Sequence, residues 1–189
     1  MISVEIDQTD IDFQRFVHVK RIPGGTITDE SPRGAPVAEG WGGMGCGFTE
    51  GVVARKTVSH NRMPTDLKDP RIMLLGCALE MSSDGEKSRM IPLDTLMEQE
   101  ESYLKILVRK IKALGPNLVL VQKGAARQVQ MQLQEANISV VINVKPEVLQ
   151  RIARCTGGEV TEQIQQIINP ASTVALGTCA RWCIKLFPQ

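Results

Sequence analysis

Rings are scarce in this sequence: Phe 4, Trp 2 and Tyr 1 make up only 4% of its 189 residues. A surface that stacks bases needs exposed aromatics, so nucleic acid is a poor candidate partner. Excess charge of one sign is missing too. With 22 basic against 21 acidic residues the net charge is +1, which creates no global field to gather nucleic acid or anionic membrane. No apolar run approaches the roughly 18 to 20 residues that cross a bilayer, so no membrane insertion is expected. The opening "MISVEIDQTDIDF" lacks the basic and apolar regions of a secretion signal. Paired cysteine is also lacking, since Cys46, Cys77, Cys155, Cys179 and Cys183 are odd in number and scattered. That pattern points to reduced thiols in a cytoplasmic setting. Cys179 and Cys183 with His60 lack the second close pair of a zinc site, and these two cysteines read as small buried hydrophobes.

What the chain has is a core. Hydrophobic residues make up 42%, and a chain this long buries roughly 70% of its unfolded surface without metal or disulfide support. One domain over 1–189 is expected, with 1–15 as an arm and 26–47 as a flexible glycine-rich loop. That loop contains "EGWGGMGCG", in which Gly40, Gly42 and Gly45 satisfy G-x-G-x-x-G. The pattern holds a pyrophosphate only between a strand and a helix. Here loop precedes it and a strand-like stretch follows, so a plain glycine loop is expected.

Periodicity orders the rest. "FVHVKRI" reads as a strand ending at the turn "PGG", and "GVVARKTVS" at 51–59 as a second strand. After Pro64 and Pro70, "RIMLLGCALE" is a continuous apolar run, the mark of a strand buried on both faces. A helix begins near Leu93, its stripe running through Met97, Leu104, Leu107, Val108, Ile111 and Leu114 until Gly115 and Pro116 stop it. Then come "NLVLVQ", a helix from about Ala125 to Glu135, "ISVVINV", and a helix opened by Pro146 and closed at Gly157 and Gly158. Strand alternating with helix predicts an α/β parallel sheet with βαβ crossovers. The short helix "EQIQQII" and the strand "RWCIKLF" break that rhythm and predict antiparallel strands at its edge.

Chemistry is hard to find. Lys123 and Gly124 follow a strand and open a helix, the best place for an anion to meet free N–H groups. Nothing like G-x-x-x-x-G-K-[ST] surrounds them, and a tight turn with a solvated lysine is the simpler account. Ser59 and His60 are adjacent and so poorly placed for nucleophile and base, and read as loop caps. Asp66 and Asp69 flank Lys68 as a Mg²⁺ or acid/base pair would, yet a solvated turn explains them. His18 reads as a strand histidine. A well-cored chain without convergent chemistry reads as a binding or regulatory domain, not an enzyme, with no cofactor or metal of its own.

Several of these words carry a resemblance. "GVVARKTVSHNRMP", "DPRIMLLGCALE" and the run from "IPLDTLMEQEE" to "ISVVINV" resemble the apical domain of group II chaperonins, with its H-x-x-M, P-+-I-x-L-L, Q-E-E and L-V-x-x-x-K-G. The resemblance covers most of 51–160 and implies a swivelling α/β domain. "INVKPEVLQRIARCTGGEV", "LGTCARWCIKLF" and "FVHVKRIPGG" resemble the chaperonin-like domain of PIKfyve-type phosphatidylinositol-3-phosphate 5-kinases. Chaperonin subunits carry an arginine pair where Asn143 and Val144 stand here.

That second resemblance implies a non-catalytic module whose partners are a HEAT-repeat scaffold, a phosphoinositide phosphatase and the kinase domain in cis. ATP and Mg²⁺ would belong to the parent's kinase domain, and the parent would work in the cytoplasm at endosomal or vacuolar membranes. Carried over from the chaperonin client groove, Gln150, Arg151 and Arg154 are candidate contacts on one helix, with Met81, Met90 and Met97 from the loop and protrusion. Methionine adapts its shape to partners; against this, Met97 reads equally as core and the arginines as a solvated face. Two alternatives stay open: a client-binding apical domain of a chaperonin subunit, and a small nucleotide-binding enzyme using Lys123 and Gly124.

Overall fold

A computed structural model describes residues 18–19, 51–80, 93–168 and 174–184, with the side chains of 93–96 excepted. The chain divides into two compact units, Glu50–Lys185 and a second made of Met1–Thr49 with Leu186–Gln189. Of the second only His18 and Val19 are described, both exposed and in neither helix nor strand. The rest of "FVHVKRI", its turn and the glycine-rich loop lie outside the described residues.

The larger unit is built on β2 (Arg71–Leu75), preceded by the short β1 (Asp66–Lys68). After it come α1 (Leu93–Leu114), β3 (Leu118–Val121), α2 (Arg127–Glu135), β4 (Ser139–Val141) and α3 (Pro146–Thr156). The chain continues through β5 (Val160–Thr161), α4 (Ile164–Ile168), β6 (Gly177–Thr178) and β7 (Arg181–Cys183). Strands β4, β3, β2 and β5 lie in that order and pair in parallel. Along its second edge β2 takes two partners, antiparallel β6 at Arg71 and Ile72 and parallel β5 at Leu74 and Leu75. The expected parallel sheet is present and its antiparallel addition is β6, whereas β7, the tail strand expected at its edge, pairs with β1 in a separate two-stranded sheet.

Alternation within β2 sets the layers. Met73 and Leu75 join Val119, Val121 and Val140 on one face, where Leu104, Leu107, Val108 and Ile111 of α1 and Val129 and Leu133 of α2 cover them. Ile72 and Leu74 join Leu118, Leu120 and Val141 on the other, under Leu149 of α3. Helices on both faces explain why β2 and β3 are apolar at nearly every position.

Backbone punctuation fell where the residue types allow. Gly115 ends α1 at φ +64° and Gly157 ends α3 at φ +71°, left-handed conformations that glycine adopts without strain. Pro146 opens α3, where its missing N–H costs nothing. Asn137 and Asn143 also sit at positive φ, before and after β4.

Two expectations are corrected. Residues 51–59 form no strand: of this stretch only Val58 is buried, and Ser59 N–H bonds the Val140 carbonyl at 2.8 Å. Alternating residue types make a strand only when a neighbour's backbone lies alongside, and among the described residues none does so for 51–58. Conversely, the connection His60 to Pro70 contains β1, which pairs antiparallel with β7. Its three residues between prolines are too few to show a period.

Candidate partner-binding surface

The face of α3 turned from the sheet arises from ordinary helix arithmetic. Leu149 is buried and Val148, Ile152 and Ala153 pack against the same cluster, so the residues one half-turn away must face outward. Gln150 and Arg154 are exposed and Arg151 is half-buried. Together with Glu147 they occupy i, i+3, i+4 and i+7, one continuous stripe. Arg151 is held within it, its Nε donating to the Glu147 carbonyl at 3.2 Å. Arg154 lies in the last turn, where a cation complements the helix dipole.

A close backbone approach anchors the end of that helix. A Cβ added to Gly158 would stand 2.7 Å from the nitrogen of Gly177, and one added to Gly177 would meet the Thr156 side chain, with Cβ at 2.8 Å. Thr156 is itself fixed, its Oγ1 donating to the Ile152 carbonyl at 2.7 Å. Sequence reasoning read Gly158 as part of a helix stop and overlooked Gly177; two glycines 19 positions apart give no local signal of contact.

The other expected contacts are distributed differently. Met97 is 61% exposed, on the stripe that buries Leu104, Val108 and Ile111 but short of where the core begins. It belongs to the helix layer on the opposite face of the sheet from α3. Gln150, Arg151 and Arg154 thus share one surface and Met97 stands apart from them. Met81 and Met90 lie outside the described residues.

Several residues considered for chemistry take part in turn and strand contacts. Around Gly124, Leu79 N–H donates to the Gly124 carbonyl and Ala126 N–H to the Leu79 carbonyl, while Asn143 N–H takes the Lys123 carbonyl at 3.1 Å. The helix starts only at Arg127. A side chain on Gly124 would meet Glu80 Oε2 at 3.8 Å, so a carboxylate neighbours the proposed anion position. His60 accepts from Arg62 N–H through Nδ1 at 3.2 Å, and the Ser59 hydroxyl points to Met63 Sδ at 3.5 Å. These are turn contacts, as expected.

The Asp66 carboxyl accepts two hydrogen bonds from Arg181, and hydrogen bonding from that guanidinium holds it below the usual carboxylate range. Asp69 sits at φ +47° with its N–H on the Ala180 carbonyl. Among the described residues no three His, Cys, Asp or Glu side chains converge as metal ligands. Cys77 and Cys179 are half-buried and burial pushes both thiols up. Cys155 and Cys183 are exposed, so the expectation of a buried cysteine fails for Cys183, whose side chain is turned from the core. No described helix is long and apolar enough to cross a membrane.

Comparison with known proteins agrees with this architecture. The model of the TCP-1/cpn60 chaperonin family matches residues 39–186. The human 1-phosphatidylinositol 3-phosphate 5-kinase is 33% identical over 185 residues, 98% of this chain and 8% of the kinase. The Saccharomyces cerevisiae 1-phosphatidylinositol 3-phosphate 5-kinase FAB1 is 28% identical over 96% of this chain and 7% of its own length. T-complex protein 1 subunit gamma of Dictyostelium discoideum is 29% identical over 88% of this chain and 29% of that subunit. Among solved structures, the open-state monomer of a group II chaperonin from Methanococcoides burtonii superposes with a TM-score of 0.51 at 26% identity, covering 70% of this chain and 27% of that one. The chain therefore spans under a tenth of the kinases it resembles. With its βαβ sheet, its helix layers and a family match over most of its length, it belongs to the TCP-1/cpn60 chaperonin family.

Proposed function

We propose that this chain is a non-catalytic interaction and regulatory domain of a phosphatidylinositol-3-phosphate 5-kinase, and that it binds partners through the outer face of α3. The observation that carries the reading is the division of labour in α3: Leu149 and its neighbours secure the helix, while exposed Gln150 and Arg154 and half-buried Arg151 form a stripe turned from that cluster. Similarity to the kinases along nearly the whole of this chain supports the choice of parent. Its partners would be a HEAT-repeat scaffold, a phosphoinositide phosphatase and the kinase domain in cis. ATP and Mg²⁺ would serve the parent's kinase domain, and the parent would act at endosomal or vacuolar membranes from the cytoplasm.

A second reading, a client-binding chaperonin domain, is favoured by the likeness to chaperonin subunits. One experiment separates the two: the chain as bait in lysate, beside Arg151→Glu/Arg154→Glu. Recovery of the scaffold and phosphatase by the native chain alone supports the kinase reading. Recovery of unfolded clients or other chaperonin subunits, or capture of scaffold and phosphatase unaffected by the substitutions, overturns the assignment of partner or of face.

A further inference from the structure

We draw no further inference here: the strongest candidate, the solvated early turns of α1 around Met97, Glu98 and Glu100, is a helix face unpartnered among the described residues, and nothing in the structure shows what covers it.

Discussion

Arg181 grips Asp66 through two parallel hydrogen bonds, Nε to Oδ1 at 3.0 Å and Nη2 to Oδ2 at 2.8 Å. The pair joins residues 115 positions apart and flanks the register in which Asp66 faces Cys183 and Lys68 faces Arg181. Fork-to-carboxylate geometry is the strongest form of ion pair, though solvent screens an exposed one.

The pair has a pH signature. Its native carboxyl lies below the unfolded value, so the stability it contributes is present above about pH 4, the ordinary aspartate range, and fades as pH falls through the native pKa. Asp66→Asn should lower the urea midpoint slightly at pH 7, and the gap to the native chain should narrow below pH ~4. A gap of constant size from pH 7 to pH 3 would mean that the charge of Asp66 does not matter.

The contact of Gly158 with Gly177 predicts a steric penalty at a place with no side chain. Gly177→Ala sets a methyl against Thr156, whose Oγ1 is tied to Ile152; such overpacking costs about 1–3 kcal/mol. Chemical denaturation reads this directly. A variant as stable as the native chain would show that β6 and the end of α3 separate without cost.

How much of this was legible in the sequence depended on the range over which each signal acts. Arg71 to Leu75 announced a buried strand because consecutive residues each record the apolar layer beside them. The helix from Leu93 to Leu114 was legible because its stripe and the stop at Gly115 are local. Residues 51–59 misled, since residue preference does not say whether a partner backbone lies alongside. The tie from Asp66 to Arg181 was invisible, as neither residue type marks its partner. For α3 the ends were legible in Pro146 and Gly157, whereas Gln150, Arg151 and Arg154 were singled out as a proposed binding face by resemblance alone; their outward stripe emerged only with the burial of Leu149.

Met97 and Leu104 test where the core begins on a single helical stripe. Leu104 is buried and Met97 is 61% exposed. Leu104→Ala should cost about 2–5 kcal/mol, and Met97→Ala within about 0.5 kcal/mol. Equal losses in a denaturant titration would place Met97 in the core.

Met63 plugs the edge of the sheet. Its Sδ accepts the Val140 N–H at 3.3 Å, while the Ser59 hydroxyl approaches the same sulfur at 3.5 Å. Met63→Leu conserves volume, a change that cores tolerate at under about 1.5 kcal/mol, but leaves a buried donor unmatched at a cost of about 1–3 kcal/mol. Met73→Leu, equally buried within β2, is the control without that donor. Met63→Leu should therefore be the less stable of the two, and faster amide exchange at Val140 should accompany it. Matching stabilities with unchanged exchange would show that the thioether contributes volume only.

The arginines of α3 separate binding from folding. Arg151 makes its hydrogen bond within its own helix, to Glu147, so among the described residues Arg151→Glu breaks no hydrogen bond to another element and should leave the melting temperature within a few degrees. Arg154→Glu differs, because reversing a charge in the last turn also opposes the helix dipole, an effect of about 0.3–1 kcal/mol per charge at an exposed site. Arg154→Gln removes the charge with half that change and isolates the binding contribution. If α3 is the partner face, titration against the recovered scaffold should show Arg151→Glu and Arg154→Gln each weakening the complex several-fold, with thermal stability nearly native. Binding lost only in proportion to stability would make both arginines structural and move the partner face elsewhere.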